Sequence, residues 1–201
     1  MLNKIEKSIF LTKPLTKPLI GIVGRKVDDI YKVNKNVVLK IIECGGIPIL
    51  ILPTNFNDLK NVLDMCDGIV MPGGKDIYDY DRYICRYAID NDVPLLGICL
   101  GMQIMADNYL KKLKVNHQGV MHKIVTKKGS IINRIIGDTC VNSRHEEHIT
   151  NPGEYIATAY SLDGTIEAIE HPFNKFNVGV QWHPEDMDDN SLFLEFIRMC
   201  K

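Results

Sequence analysis

The chain contains 201 residues, of which 45% are hydrophobic and 24% are charged, a composition that suits one globular domain with a sizeable core. Its formal net charge of −1 provides no long-range attraction to nucleic acid or to an anionic membrane surface. The first residues carry charges throughout and lack a long apolar run, so we expect neither a signal peptide nor a membrane span. The six cysteines show no paired metal-ligand spacing, and a reducing cytoplasm is the expected location.

Residues 1–18 are predicted to form an N-terminal arm ahead of a single domain at residues 19–201. The tandem Leu11-Thr-Lys-Pro14 and Leu15-Thr-Lys-Pro18 contains two prolines, which restrict their neighbours to extended conformations. Such an arm packs either on its own domain or on a second subunit, so the sequence leaves a homodimer open.

From residue 19 onward, short apolar runs alternate with amphipathic segments. Strands are predicted at 19–23, 47–52, 68–71 and 93–98, and helices at 36–44, 58–66, 80–91 and 100–109. This alternation predicts an α/β fold, a three-layer sandwich with a mostly parallel central sheet and helices on both faces. In such sheets, ligands bind at the carboxyl ends of the strands.

The second half of the chain has a different rhythm, in which short strand-like runs are separated by turn residues. These runs lie at 122–126, 138–141, 155–159, 165–170 and 177–181, and a closing helix is predicted at 191–200. The pattern predicts a smaller antiparallel portion of the sheet in this half.

The stretch Gly97-Ile-Cys99-Leu-Gly101 follows the predicted central strand and precedes a helix. A Gly-x-Cys-x-Gly sequence at a strand-to-helix turn is the cysteine form of a nucleophile elbow, because glycines two residues to either side permit a sharp turn. Unpaired N–H groups at the start of the helix would favour the thiolate of Cys99. A buried structural cysteine beside a tight turn is the alternative.

Two further segments are candidates to complete a nucleophilic site. His183 and Glu185 are two residues apart where the last strand ends, so period-two geometry puts a base and the carboxylate that orients it on one face. The backbone N–H of Leu100 and an N–H of the Gly73–Gly74 turn are candidate donors to an oxyanion. The alternatives are that His183 and Glu185 are surface residues at a strand end without a catalytic role, and that Gly73 and Gly74 only form a turn.

Taken together, these motifs resemble the class I glutamine amidotransferase superfamily, whose catalytic domains carry a Gly-x-Cys-x-Gly elbow and a late His-Pro-Glu. Further stretches resemble one branch, the γ-glutamyl-γ-aminobutyrate hydrolase-like (peptidase C26) family. They are Pro72-Gly-Gly-Lys-Asp76, His122-Lys-Ile-Val125, Val141-Asn-Ser-Arg-His145 and Asp163-Gly-Thr-Ile-Glu-Ala-Ile-Glu170. The resemblance covers the chain from about residue 19 to its end.

The resemblance implies a role for each of these positions. By it, Cys99, His183 and Glu185 form a catalytic triad, and Gly74 and Leu100 supply the oxyanion hole. It also implies a substrate-binding region, with residues 142–145 in a loop, that comprises Gly73, Gln103, Asn142, Ser143, Arg144 and His145.

The chain departs from the peptidase C26 branch at three places. Only residues 77–81 separate Asp76 from the next predicted helix, where members of the branch have a longer insertion that covers the pocket. Leu100 replaces an arginine of many hydrolases in the branch and resembles the true amidotransferases. Glu146 and Glu147 stand where His-Gln is common, and they are either solvated or placed to favour a cationic leaving group.

The remaining histidines, His117, His122, His148 and His171, lack ligand spacing with one another, so we expect neither a metal site nor another cofactor. The leading functional hypothesis is a cysteine hydrolase that cleaves a γ-glutamyl amide bond, in a γ-glutamyl amine or glutamine, through a γ-glutamyl thioester. One alternative is a glutaminase subunit that delivers ammonia to a separate synthase. Another is a non-catalytic binding protein on the same fold.

Overall fold

The structure, a computed structural model, describes residues 17–53, 55–106 and 110–200. The arm predicted at residues 1–18 lies outside these residues except for its last two. The strands are β1 (Leu19–Val23), β2 (Arg25–Val27), β3 (Ile30–Lys32), β4 (Ile47–Ile51), β5 (Gly68–Met71), β6 (Leu95–Ile98), β7 (Leu110–Thr126), β8 (Thr139–Ile149), β9 (Ile156–Ser161), β10 (Ile166–Glu170) and β11 (Asn177–Val180). The helices are α1 (Lys35–Glu43), α2 (Phe56–Leu63), α3 (Asp79–Asp90), α4 (Leu100–Met105), α5 (Ile131–Ile135) and α6 (Ser191–Met199), with a short 3-10 helix at Pro184–Asp186.

Among the described residues, nine strands form one sheet in the order β4-β1-β5-β6-β11-β10-β9-β7-β8. The first five strands of this order are parallel to one another, and the pairings from β11 to β8 are antiparallel. The α/β class with an antiparallel portion in the second half is therefore confirmed.

Helices cover both faces of the sheet and bury two apolar cores. One core packs α1, α5 and α6 on the sheet through side chains such as Val37, Ile132 and Phe196. The other packs α2, α3 and α4 through side chains such as Leu63 and Ile84. No helix in the described part of the chain combines the length and apolar character needed to cross a membrane.

In the second half of the chain, the observed strands differ most from those predicted from the sequence. Strands β7 and β8 are much longer than predicted and pair along most of their length. This pairing provides hydrogen-bond partners for the backbone N–H and C=O groups of their polar residues. Residues 142–145, predicted as a loop, therefore lie within β8, and that prediction was wrong. Helix α4 also ends earlier than predicted, at Met105, and the predicted remainder at 107–109 lies outside the described residues.

Candidate active site

Cys99 lies between the end of β6 and the start of α4, with φ 52° and ψ −105°. Such a positive φ is strained for a residue with a side chain, and it occurs at nucleophile elbows. Gly101 is required on packing grounds, because a Cβ there would lie 2.0 Å from the carbonyl oxygen of Met71. The thiol is partly exposed, whereas four of the other cysteines are buried.

The strand order brings the histidine to this cysteine. Strands β5, β6 and β11 are parallel neighbours, so the segments that follow their carboxyl ends meet at one edge of the sheet. Nδ1 of His183 lies 2.8 Å from Oε1 of Glu185. A Cβ added to Gly73 would lie 3.1 Å from Cε1 of His183 and 3.6 Å from Cβ of Cys99. The three segments therefore place thiol, imidazole and glycine turn side by side.

The electrostatics of His183 follow from these contacts. Burial alone would lower its pKa, but hydrogen bonds with Cys99 and Glu185 outweigh burial and raise the pKa to about 9. The imidazole is therefore held in its charged form at neutral pH, beside the sulfur of Cys99. An imidazolium in this position can stabilise negative charge on the sulfur and can supply a proton to a leaving group.

Two asparagines hold the histidine segment in place by hydrogen bonds. Asn34, the residue before α1, donates from Nδ2 to Oε1 of Glu185 at 3.2 Å. Asn142 accepts from the backbone N–H of His183 at 2.8 Å and donates to its carbonyl at 2.9 Å. Asn142 therefore fixes the backbone of His183, and Asn34 is a contributor that the sequence did not single out.

The glycine turn is held by a buried ion pair. Nη1 of Arg25 lies 2.6 Å from Oδ1 of Asp81, and Nε of Arg25 donates to the carbonyl of Pro72 at 3.3 Å. The side chain of Arg25 also packs beneath Gly74, where an added Cβ would lie 3.3 Å from Cδ of Arg25. This ion pair links β2 and α3 to the turn of the candidate oxyanion hole, and sequence patterns gave no signal for it.

A chain of amides connects Gln103 to the nucleophile. Nε2 of Gln103 donates to Oε1 of Gln181 at 3.1 Å and to the carbonyl of Glu147 at 3.1 Å. Nε2 of Gln181 in turn lies 3.6 Å from Sγ of Cys99. Gln181 is fully buried and was missed, although it is two residues before His183 and therefore on the same face of an extended chain.

The other predicted substrate-binding residues have separate environments. Ser143 is buried, whereas Arg144 is exposed and forms an ion pair with Asp186. His145 is buried against His117. The structure therefore brings Gly73, Gln103 and Asn142 to the cluster of Cys99, His183 and Glu185, whereas the side chains of Arg144 and His145 contact other groups.

The structure also shows the surroundings of the two glutamates and of the remaining histidines. Glu146 and Glu147 are exposed, and Glu146 accepts a hydrogen bond from Gln118 at 3.0 Å, which fits the solvated alternative. Two of the remaining histidines, which lack ligand spacing in the sequence, come together in the fold. His117 and His122 lie beside His145 and Glu167, because strand pairing joins residues that are distant in sequence.

The chain is an α/β protein in which a thiol, an imidazole and a carboxylate meet at the carboxyl ends of parallel strands, the arrangement expected around a cysteine nucleophile. The sequence pattern of the family "Glutamine amidotransferase class-I" matches residues 26–198. The chain belongs to this family, which confirms the resemblance at the level of the superfamily. The narrower resemblance to the peptidase C26 branch stays a prediction.

Relatives of known sequence support the same assignment. The chain is 27% identical to a glutamine amidotransferase-like protein of Rickettsia prowazekii over 84% of this chain and 87% of that protein. It is 32% identical to a glutamine-hydrolysing GMP synthase subunit of Haloarcula marismortui over 67% of this chain and 74% of that protein. It is also 30% identical to the CTP synthase of Thermosipho africanus, of which it spans 42%.

A solved structure shows the same fold. The glutaminase domain of a CTP synthase from Trypanosoma brucei, determined with bound acivicin, superposes with a TM-score of 0.74 over 91% of this chain and 93% of that domain. The sequence identity is 18%, so the likeness extends to the fold alone.

Proposed function

We propose that this chain hydrolyses the γ-carboxamide of glutamine and delivers the ammonia to a separate synthase. The observation that carries the proposal is the 2.8 Å contact between Nδ1 of His183 and Oε1 of Glu185, with the imidazole held beside Cys99 at the elbow. The family match supports the chemistry, and the similarity to GMP synthase subunits and to CTP synthase supports the partner.

The proposed reaction has two half-reactions at one sulfur. The thiolate of Cys99 attacks the γ-carbonyl carbon, the C–N bond breaks, and the imidazolium of His183 gives its proton to the departing ammonia. Water then attacks the γ-glutamyl thioester, and His183 takes a proton from that water. Glutamate leaves, and the sulfur returns to its starting state with atoms and charge balanced.

The proposed oxyanion hole consists of the backbone N–H groups of Gly74 and Leu100. Leu100 is the first residue of α4, so its N–H has no partner within the helix and is free to donate. Leu100 and Gly74 are neighbours, because a Cβ at Gly74 would lie 3.1 Å from Cδ2 of Leu100. Removing one such donor is worth roughly 10²–10³ in kcat where it has been tested in hydrolases.

The first test measures glutamate and ammonia released from glutamine by the purified chain. We expect equal amounts of both products, and no release by Cys99→Ala or His183→Ala. A wild-type chain that folds but forms no covalent adduct at Cys99 with a glutamine-like electrophile, alone or with a synthase, would contradict the assignment.

The second test concerns the partner. A synthase subunit should co-purify with a synthase encoded by the same cell, and its turnover should rise when that synthase and its substrates are added. A chain that is fully active alone and gains nothing from any synthase would favour the free-standing hydrolase instead.

A free-standing γ-glutamyl-amine hydrolase is the second candidate. A cavity of about 430 Å³ borders the glycine turn and is lined by Arg25, Gly74, Lys75 and Tyr78, among others. This volume would accommodate a leaving amine larger than ammonia. Comparing kcat/KM for glutamine with a panel of γ-glutamyl amines separates the two candidates, since a preference for glutamine supports the first and a preference for a larger amine supports the second.

A further inference from the structure

Three histidines and one glutamate converge away from Cys99. His117 and His122 lie on β7, His145 on β8 and Glu167 on β10, and one ligand atom from each lies within 4.8 Å of all the others. Oε1 of Glu167 is 3.6 Å from Nδ1 of His117, 3.5 Å from Nε2 of His122 and 3.7 Å from Nε2 of His145. Nδ1 of His117 is 3.2 Å from Nε2 of His145.

Four of the six separations are close to the edge length of a coordination tetrahedron, and the other two, from His122 to the other histidines, lie within 4.8 Å. Around a zinc ion with ligand bonds of about 2.0–2.1 Å, neighbouring ligand atoms lie about 3.4 Å apart. The four measured separations scatter about that value, and each is too long for a hydrogen bond except the one between His117 and His145. Imidazole nitrogen with one carboxylate oxygen is a donor set that suits divalent zinc.

A β-bulge in β7 lets His117 and His122 point to the same side of the sheet. His117 and His122 are an odd number of residues apart and would face opposite sides of a regular strand. Gly119, at φ 67°, is an additional residue in the ladder, because Gln118 pairs with Arg144 and Val120 with Ser143. This bulge returns both histidines to one face.

A second register shift serves the glutamate. Ile166 pairs with Tyr160 and Ala168 with Ala159, which leaves Glu167 as the additional residue between them. Bulges of this kind re-aim a side chain and are frequent at functional sites. Two register shifts therefore occur at residues of the same cluster, and both orient its side chains toward one another.

The outer nitrogen of each histidine faces an acceptor. Nε2 of His117 lies 3.0 Å from a carboxylate oxygen of Asp163, and Nδ1 of His145 lies 3.0 Å from the carbonyl of Glu147. Nδ1 of His122 lies 3.4 Å from the carbonyl of Lys123. Acceptors at the outer positions require N–H there, so each neutral imidazole directs its lone pair into the cluster.

Those inward lone pairs and the carboxylate have no other partner among the described residues. Glu167 is fully buried, and neither of its carboxylate oxygens accepts a hydrogen bond; Nε2 of His122 is likewise buried and unpaired. A buried carboxylate without hydrogen bonds is strongly destabilising. Two lone pairs 3.2 Å apart on His117 and His145 also repel one another. A cation at the centre removes both conflicts.

We propose that His117, His122, His145 and Glu167 bind one divalent zinc ion in a closed, four-coordinate structural site. Asp163 is the carboxylate that orients His117 and offsets the remaining positive charge. This proposal does not rest on the proposed function.

A bound zinc ion would cross-link β7, β8 and β10, which also contact residues of the candidate active site. The carbonyl of Glu147 accepts from both His145 and Gln103, and Gln103 continues through Gln181 to the sulfur of Cys99. The backbone N–H of Gln181 also donates to the carbonyl of Glu167 at 2.8 Å. Binding zinc would therefore stabilise the folded state and the position of this amide chain.

The test uses protein expressed without a histidine tag and carrying Cys99→Ala, so that the candidate nucleophile cannot capture metal. The metal content is measured after dialysis against zinc, and the affinity is measured by titration with zinc ion alone. We expect one zinc per chain and a melting temperature that rises with zinc. Cobalt ion should give visible absorption bands of four-coordinate intensity.

Matched variants locate the ion. In the same background, His122→Ala and Glu167→Gln should each lose the bound zinc and the cobalt bands, whereas His171→Ala, outside the cluster, should retain both. Asp163→Asn should weaken zinc affinity by about 10–100-fold, as expected for a group that orients a ligand. Absence of a saturable zinc site in the Cys99→Ala protein would overturn the proposal. Zinc binding by His122→Ala or Glu167→Gln that equals binding by the Cys99→Ala parent would also overturn it.

Discussion

Cys99 competes with five other thiols for an alkylating reagent, and its environment should let it react first. Burial raises the pKa of Cys66 to about 11 and that of Cys200 to about 12. Cys99 is partly exposed beside His183, which leaves the exposed Cys140 as its main competitor. A limiting dose of iodoacetamide at neutral pH should therefore label Cys99 preferentially, as read by peptide mass spectrometry.

The matched control for labelling is Cys140→Ser, which should leave the rate at Cys99 unchanged. Adding His183→Ala should slow labelling of Cys99 sharply, because the thiolate loses its imidazolium. Faster reaction at Cys140 than at Cys99 in the wild-type chain would argue against the nucleophile assignment.

The raised pKa of His183 should make the unfolding free energy depend on pH. Its pKa is raised from 6.5 to about 9 in the folded chain, so the associated stability is complete below pH 6.5 and is lost as the pH rises through 9. Relative to His183→Gln, the wild type should lose about 1–3 kcal/mol of unfolding free energy across that interval.

The same titration should appear in catalysis. The rate constant kcat/KM should decline as the pH rises through about 9, because His183 then lacks the proton for the departing amine. NMR titration should show a lower pKa for His183 in Cys99→Ala, which removes one of the contacts that raise it. An unchanged pKa in that variant would show that the thiol does not contribute.

At the scale of elements, the ion pair between β2 and α3 controls the glycine turn. The side chains of Arg25 and Asp81 are 7% and 0% exposed, so Asp81→Ala would leave a guanidinium buried without its partner. We expect a loss of about 3–5 kcal/mol in unfolding free energy. Since Arg25 also donates to the carbonyl of Pro72, kcat should fall as well.

The double variant Arg25→Leu/Asp81→Leu separates the two effects. Removing both charges should recover much of the stability, as for other buried pairs replaced by apolar side chains. It should not restore kcat, because replacing Arg25 removes the donor to the carbonyl of Pro72. Full recovery of kcat together with stability would show that the pair serves folding alone.

At the scale of the whole molecule, two cores share one sheet and should unfold together, which tests the predicted single domain at residues 19–201. Leu63 and Phe193 are fully buried, one in each core. Leu63→Ala should lower the unfolding free energy by about 2–5 kcal/mol and Phe193→Ala by about 3–5 kcal/mol.

Both variants should shift the same transition, whether it is followed by Trp182 fluorescence or by far-UV circular dichroism. The effects of the two substitutions should add to within about 0.5 kcal/mol, because the two side chains belong to separate cores. Two transitions that respond separately to the two substitutions would indicate two folding units.

The sequence by itself determined the parallel half of the sheet and the identity of the triad candidates. Residues 19–23, 68–71 and 93–98 are short apolar runs, and burial on both sides makes local pattern a sufficient guide to such strands. Residues 177–181 were predicted in the antiparallel portion, and β11 instead pairs parallel to β6. The elbow at Cys99 and the His183–Glu185 pair were equally visible, since their geometry depends on neighbours within a few residues of the chain.

Only the tertiary structure decided which distant residues meet. The long pairing of β7 with β8 placed His117 opposite His145, and a bulge at Gly119 turned His122 to the same side. Sequence spacing carries no trace of such contacts, because strand register depends on hydrogen bonds between segments that are far apart in the chain. The same holds for Arg25 and Asp81, whose ion pair exists only because β1 and β5 are neighbours and bring β2 to the start of α3.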